Sequence, residues 1–486
     1  MRGSHKVALL TFVGLLSQAS TIISSIVLVR FLSQESYGIF RQLFLITSTC
    51  LLVCTFGLPT SILFSFPKIS KGEQKGYLIQ TMVLLAISGT VGTLIVFFLS
   101  GYIAVKFDNP VIQEILPFFS LYILFQVSIQ YISAMYMGLD KYKHASIIQI
   151  AMQLSHFFVV MGSVYFWGDL HIVMRNILIF AALQTAVLIP FSLRKFKDVS
   201  TVWKKDFLRK QLGYSLPLGL SFIVDFLGRE IDKCCFALFF SPAIYAIYVV
   251  GALEIPMFRE IGTAISSVLV PKISELHHES KQSEIASLWK ETIRKSILIF
   301  FPSFGLLLLV SKQLIIVLFT ETYGGATIVF QIYLCLILLR IFNPNIILQA
   351  LGKTKLILLN SICFVTINTV LNIVFIKVLK LGISGPAIAT IISFLWMNLF
   401  AFFAALSYTD FSFKQVFPSK DFSKISVAVI LGYIIPKYFF NILENNHLVN
   451  GLLLGTVFVL VFALSGWMMK VFDRDDIQIV TRILRK

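Results

Sequence analysis

Charge is what this chain has least of. Only 13% of its 486 residues are charged, against 57% hydrophobic, and the mean hydropathy is +0.87. Soluble domains carry about twice that charge, so a soluble globular fold is excluded and a polytopic membrane protein is expected. Acid is scarcest: 24 Asp and Glu stand against 41 Lys and Arg, leaving a net charge of +17. In a soluble protein that excess would suggest nucleic acid. Here it reads as loop charge that orients the chain in a bilayer, and no nucleic-acid partner is expected.

Cysteine is also sparse. Cys50, Cys54, Cys234, Cys235, Cys335 and Cys363 all lie in or beside apolar segments and form no ligand spacing or loop framework. They read as buried apolar thiols, with no metal and no cofactor expected. Long polar stretches are missing as well. The outer loops are a few residues long and carry little more than Glu35, Asp108, Asp169, Glu321 and Glu444, one per loop. Paired carboxylates, a nucleophile motif and a Gly-rich phosphate loop are absent. That argues against a membrane polymerase, ligase or glycosyltransferase and for a protein that is not an enzyme.

What is present is a series of about fourteen apolar segments near spanning length. Arg2 and Lys6 precede the first, and Ser17-Gln18-Ala19 resembles a cleavage site, but the run continues to Phe31, about 24 residues, so a retained helix is expected. The opening MRGSH resembles an expression-tag scar. Six segments fall within 1–193, a basic linker occupies 194–211, six more fall within 212–408, and two further helices with a basic tail occupy 409–486. Lys106, Lys312, Lys377, Lys380 and Lys437 lie on the side opposite the N-terminus. Seven basic residues sit in or at the ends of spans, and the rest flank the N-terminal side. This asymmetry places both termini in the cytosol.

Short stretches recur. Phe31–Phe40 (FLSQESYGIF) and Phe239–Tyr248 (FFSPAIYAIY) share Phe, Ser, Tyr and Ile at a spacing of 208. PKIS occurs at Pro67–Ser70 and at Pro271–Ser274, and Asp140–Lys143 is echoed at Gly352–Lys355. Three echoes in one order predict two six-helix halves of the same orientation, a transporter design with a substrate between the halves.

Arg30-Phe31-Leu32-Ser33 followed by Ser36–Phe40 resembles the first extracytoplasmic corner of polysaccharide repeat-unit flippases (O-antigen or capsule type) of the multidrug/oligosaccharidyl-lipid/polysaccharide exporter superfamily. Glu230–Lys233 followed by Tyr245 and Tyr248 is similar to their seventh and eighth helices. Gly382–Thr390 is similar to the start of their twelfth, with Pro386 where a small residue is usual. The resemblance covers about residues 7–408. It implies an all-α membrane protein with two six-helix bundles around a central V-shaped cavity, plus a C-terminal helix pair. The implied substrate is an oligosaccharide on polyprenyl pyrophosphate, flipped across a bacterial cytoplasmic membrane beside polysaccharide polymerase machinery.

Charges within spans are functional candidates by default, because burying them in hydrocarbon is costly. Arg259 and Arg340 lie near mid-membrane. Arg229, Arg30, Arg41 and Lys233 join them as candidate ligands of an anionic pyrophosphate, which suits the planar guanidinium fork. Arg30, Arg41 and Arg175 lie near outer helix ends, where snorkelling to headgroups is the competing reading. Asp225 and Glu254, with Glu230, Glu260 and Asp232, are candidates for ion coupling. Asp225, Arg229 and Asp232, spaced i, i+4, i+7, share one helix face, and an internal ion-pair ladder is the competing reading. Gln126 and Gln130 on the fourth helix, and Gln149, Gln153 and His156 on the fifth, form polar stripes for sugar contact or interhelical bonding. The spans hold seven basic and five acidic residues, which favours an anionic substrate over the cation of a drug antiporter. A peptidoglycan-precursor flippase remains the nearer alternative.

Overall fold

A computed structural model describes residues 3–204, 206–439 and 446–473, with side chains from Phe12 onward. Arg2, the Lys6 side chain, Lys205, Glu444 and the basic tail at 474–486 lie outside the described residues. All regular structure among the described residues is helical. The chain divides into two compact units, Met1–Ala246 and Ile247–Lys486.

The first unit runs α1 (Gly3–Phe31), α2 (Gln34–Thr55), α3 (Leu58–Ser65), α4 (Lys71–Lys106), α5 (Pro110–Phe119), α6 (Leu121–Ile129), α7 (Tyr131–Gly138), α8 (Tyr142–Trp167), α9 (Leu170–Leu193) and α10 (Asp206–Ala237). α11 (Pro242–Gly251) begins in this unit and ends in the next. The second unit continues with α12 (Pro256–His278), α13 (Gln282–Phe319), α14 (Ala326–Leu339), α15 (Asn345–Ala350), α16 (Thr354–Ile373), α17 (Ser384–Thr409), α18 (Phe413–Val416), α19 (Ser419–Phe439) and α20 (His447–Met468).

Among the described residues, nine helices are long and apolar enough to cross a bilayer, and α5 with Leu121–Gly138, bent by 42°, makes a tenth. Fourteen segments were expected. Three of the remaining four are where charge or a break interrupts the apolar run: α10 carries Asp225, Arg229, Glu230, Asp232 and Lys233, and the pairs α11–α12 and α14–α15 are each split. Backbone irregularity at membrane depth is tolerated only inside protein or beside a polar cavity, so these interruptions point to function.

α10 packs on α2 and α3 within the first unit. Between α2 and α3 the chain breaks at Phe56 (φ 44) and Gly57 (φ 71), both left-handed. A Cβ at Gly219 of α10 would lie 2.8 Å from the Phe56 backbone, so glycine lets the helix cross the break backbone to backbone. About two turns earlier in the same helix, buried Gln211 donates to Ser61 Oγ (3.0 Å) and Thr81 Oγ1 (2.7 Å) and accepts from Gln80 Nε2 (2.8 Å). The basic linker also docks on α4: the Val202 N–H donates to the Gly72 carbonyl (3.1 Å), Lys75 Nζ to the Val199 carbonyl (2.6 Å), and Lys204 pairs with Glu73.

Two of the three sequence echoes are the same local structure written twice. At both Phe31–Phe40 and Phe239–Tyr248 the serine precedes a helix and its carbonyl accepts from the tyrosine N–H at 2.9 Å, Ser33 from Tyr37 and Ser241 from Tyr245. Both tyrosines are buried, and Gly38 of the first corner lies against the Pro242 carbonyl of the second. The second pair is a Schellman corner. The Lys141 N–H donates to the Tyr136 carbonyl and the Lys353 N–H to the Leu348 carbonyl, each at 2.8 Å, with Asp140 (φ 59) and Gly352 (φ 70) left-handed. PKIS differs: the first copy begins in a 3₁₀ turn and caps α4 with Ser70, whereas the second lies inside α12. Four shared letters do not fix a conformation when the flanking helices differ.

The corner gives a measurable expectation. Gly352→Ala forces a Cβ into the left-handed region and is expected to cost about 1 kcal/mol. A fall of a few degrees in the unfolding temperature of detergent-purified protein would show it, and an unchanged temperature would count against the cap.

Candidate functional site

The bend in the fourth helix builds the first cavity. Pro117 sits inside α5 and cannot donate to the preceding turn. Carbonyls around the bend also accept from hydroxyls: Ser120 Oγ donates to the Pro117 carbonyl (2.7 Å), Thr93 Oγ1 to Ser120 (3.1 Å) and Thr185 Oγ1 to Phe125 (3.0 Å). The bend turns Tyr122, Gln126 and Gln130 toward a cavity of about 650 Å³. From α8, Gln149, Gln153 and His156 face the same space at i, i+4, i+7. Arg41 of α2, Gln184 of α9, Glu230 and Lys233 of α10, and Tyr245 complete the polar wall.

Its electrostatics are simple. Lys233 Nζ pairs with Glu230 at 3.2 Å. Arg41 forms no ion pair within 4.0 Å among the described residues, although Glu230 and the hydroxyls of Tyr37 and Tyr245 lie within its field. The wall therefore keeps one guanidinium with no direct ion-pair partner among the described residues. Gln126 Nε2 donates to Gln184 Oε1 at 3.3 Å. Gln130, Gln149 and Gln153 make no side-chain hydrogen bond among the described residues and line the cavity. Amides without partners are costly in hydrocarbon, so they belong to a wetted or ligand-filled space.

The second unit holds a cavity of about 630 Å³ lined by Arg259, Arg340, Asn343, Asn345, Phe394 and Asn398, among others. It lies at two helix breaks. Glu254 sits in the gap between α11 and α12, where Ile255 is extended and Pro256 opens the next helix. Arg340 caps α14, and Asn343 (φ 36) with Pro344 separates it from α15. Arg340 Nη2 meets Glu254 Oε2 at 2.8 Å, joining the two breaks.

The remaining candidates lie elsewhere. Arg229 pairs with Asp225 at 2.9 Å on an open face, with side chains 46% and 70% exposed, as an i, i+4 ladder predicts. Asp232 does not share that exposure: it is 1% exposed, because α10 turns that edge into the protein. Arg259 approaches Glu260 at 3.8 Å. Arg30 and Arg175 are exposed and line neither cavity. All six cysteines are unpaired, and no group able to hold a metal occurs among the described residues.

Two features escaped the sequence reading. The carboxylate partner of Arg340 comes from the α11–α12 gap and not from its own helix. Asn360, Asn368 and Asn372 of α16 are buried on one face toward α17, with Asn368 Nδ2 reaching Thr390 Oγ1 at 3.5 Å and Asn360 Nδ2 the Met397 carbonyl at 2.8 Å. Their spacing of eight and four residues is the signal that could have found them.

Helical bundles with broken spans opening on polar cavities are the architecture of membrane transporters. The structure shares its fold with a lipid II flippase, MurJ, in an inward closed conformation: TM-score 0.68 at 16% identity, over 94% of this chain and 99% of that one. A multidrug resistance transporter of the MATE family and MOP superfamily, in an inward-facing conformation, matches with TM-score 0.63 at 11% identity, over 81% of this chain and 94% of that one. The chain belongs to the polysaccharide biosynthesis protein family, whose model matches residues 27–327. A curated relative, the probable low-salt glycan biosynthesis flippase Agl15 of Haloferax volcanii, is 25% identical over 201 residues. That alignment covers 40% of this chain and 42% of the relative, less than half its length.

Proposed function

We propose that this protein flips polyprenyl-pyrophosphate-linked oligosaccharide repeat units across the cytoplasmic membrane by alternating access, for surface polysaccharide biosynthesis. The observation that carries this reading is the wall of the first cavity, which sets the unpaired guanidinium of Arg41 beside the open amides of Gln130, Gln149 and Gln153. A pyrophosphate needs a cation with paired donors. A sugar presents hydroxyls that both donate and accept, which a carboxamide matches on either side. The tyrosines Tyr122 and Tyr245 offer flat apolar faces in the same wall. Lys233, held by Glu230, supplies a second cation once the pair opens.

Arg259 and Arg340 form the second cationic wall, and Arg229 and Arg30 lie outside both cavities as secondary contacts on the route. Glu254, Asp225, Glu230, Glu260 and Asp232 are the candidates for coupling transport to an ion gradient. Both termini are assigned to the cytosol. The extent of the two six-helix halves, 1–193 and 212–408, and polymerase machinery as a partner, belong to this same reading.

Deletion of the gene is the direct test. We expect surface glycan to be lost and the lipid-linked repeat unit to accumulate on the cytosolic face, with peptidoglycan synthesis undisturbed. Lysis with accumulation of the peptidoglycan precursor would favour the precursor flippase instead, and unchanged surface glycan would overturn the proposal.

A further inference from the structure

We propose that the cavity of the second unit is an anion site of the pyrophosphate class, and that Glu254 acts there as a built-in substitute for the substrate's anion. Naming the ligand rests on the proposed function; the competition itself does not.

The charged residues lining this cavity are Arg259 and Arg340. Their carboxylate partners lie behind them. Glu254 instead lines a separate pocket of about 20 Å³ with Tyr333 and Arg340, and Glu260 is absent from the cavity wall. Arg340 therefore stands between the two spaces, one edge on Glu254 and another toward the cavity. An anion entering the cavity meets guanidinium groups and no carboxylate. Phe394, whose ring centroid lies 5.7 Å from the Arg340 guanidinium carbon, backs that group. Asn343 Nδ2 donates to Ser266 Oγ at 3.2 Å and fixes the opposite rim.

Displacement is cheap in backbone terms. Glu254 lies in a non-helical gap, so moving it breaks no helical hydrogen bond. Both partners are partly open, the carboxylate 37% and the guanidinium 22% exposed. The groups facing Glu254 are Arg340 and Tyr333, with Arg259 and Glu260 on the following helix. Arginine keeps its charge in both states. In the empty protein it is neutralised by Glu254. In the loaded protein one phosphate oxygen replaces Glu254 Oε2 on Arg340 Nη2. The released carboxylate, already 37% exposed, turns to solvent water for its hydrogen bonds. No covalent bond forms or breaks in the exchange.

The test is calorimetric titration of detergent-purified protein with inorganic pyrophosphate. It is done in an Arg41→Gln background, so that binding reports on the second cavity. We expect Glu254→Gln to tighten binding about tenfold or more relative to its parent. Arg340→Gln should weaken binding at least tenfold, with or without Glu254→Gln. Glu254→Asp, which retracts the carboxylate by one methylene, should fall between parent and Gln variant, and it carries the test if the Gln variant does not fold. Equal affinity in parent and Glu254 variants would overturn the inference and leave Glu254 a structural partner. Because the readout is binding, a protein that shows the exchange but flips no glycan would keep this inference and overturn the function.

Discussion

Arg41→Ala is expected to cut surface glycan sharply while the protein remains in the membrane at normal abundance. Its guanidinium is the one cation of the first cavity with no ion-pair partner among the described residues. Removing it leaves no carboxylate stranded, so the folded protein loses little. A substrate phosphate loses a charge-assisted, paired contact worth about 1.5–3 kcal/mol, which is about 10- to 100-fold in transport rate. Arg41→Lys keeps the charge but not the fork and should fall between the two. Arg175→Ala, at an exposed helix end, is the contrasting control, with export close to normal. Quantifying surface glycan against membrane protein level checks all three. Normal export from Arg41→Ala would remove the first cavity from the phosphate's route.

Arg340→Ala should behave differently, because its partner is inside the protein. Removing the guanidinium leaves the Glu254 carboxylate uncompensated at the meeting point of two helix breaks. Breaking a buried pair costs about 3–5 kcal/mol, and the partial exposure here pulls that toward the lower bound. A loss of that size is enough to deplete a marginally stable fold. We therefore expect low membrane abundance for Arg340→Ala and recovery of abundance, without export, in Arg340→Ala/Glu254→Gln. The neutral double variant removes the stranded charge as well as the pair. Normal abundance of the single variant would mean that the 2.8 Å contact contributes nothing to stability.

The polar stripe on α8 shows how far the sequence alone reached. Gln149, Gln153 and His156 share a face because a helix repeats every 3.6 residues, and helicity in a bilayer follows from the need to satisfy every backbone hydrogen bond. Those two rules, with the apolar run lengths, determine an all-helical membrane protein and name the polar faces. They also locate the repeated corners, since the left-handed turn at Asp140 and at Gly352 is a local property of a few residues.

What a polar face meets is a different matter, decided by chain segments far apart in sequence. Nothing within α2 tells that Arg41 looks onto Glu230 and Lys233 of α10, and nothing within α14 tells that Arg340 finds Glu254. Opposite charges at i, i+4, such as Asp225 and Arg229, are legible because one helix fixes their distance. Pairs that span helices depend on how breaks at Pro117, at Glu254 and at Asn343 bend the spans toward each other. The sequence by itself determined the helices, their polar faces and the sign of the charge in the membrane. Only the tertiary structure decided which of those charges is neutralised and which stands free, because Coulomb energy and hydrogen bonding follow distance in space, which the covalent chain sets only within a turn or two of helix.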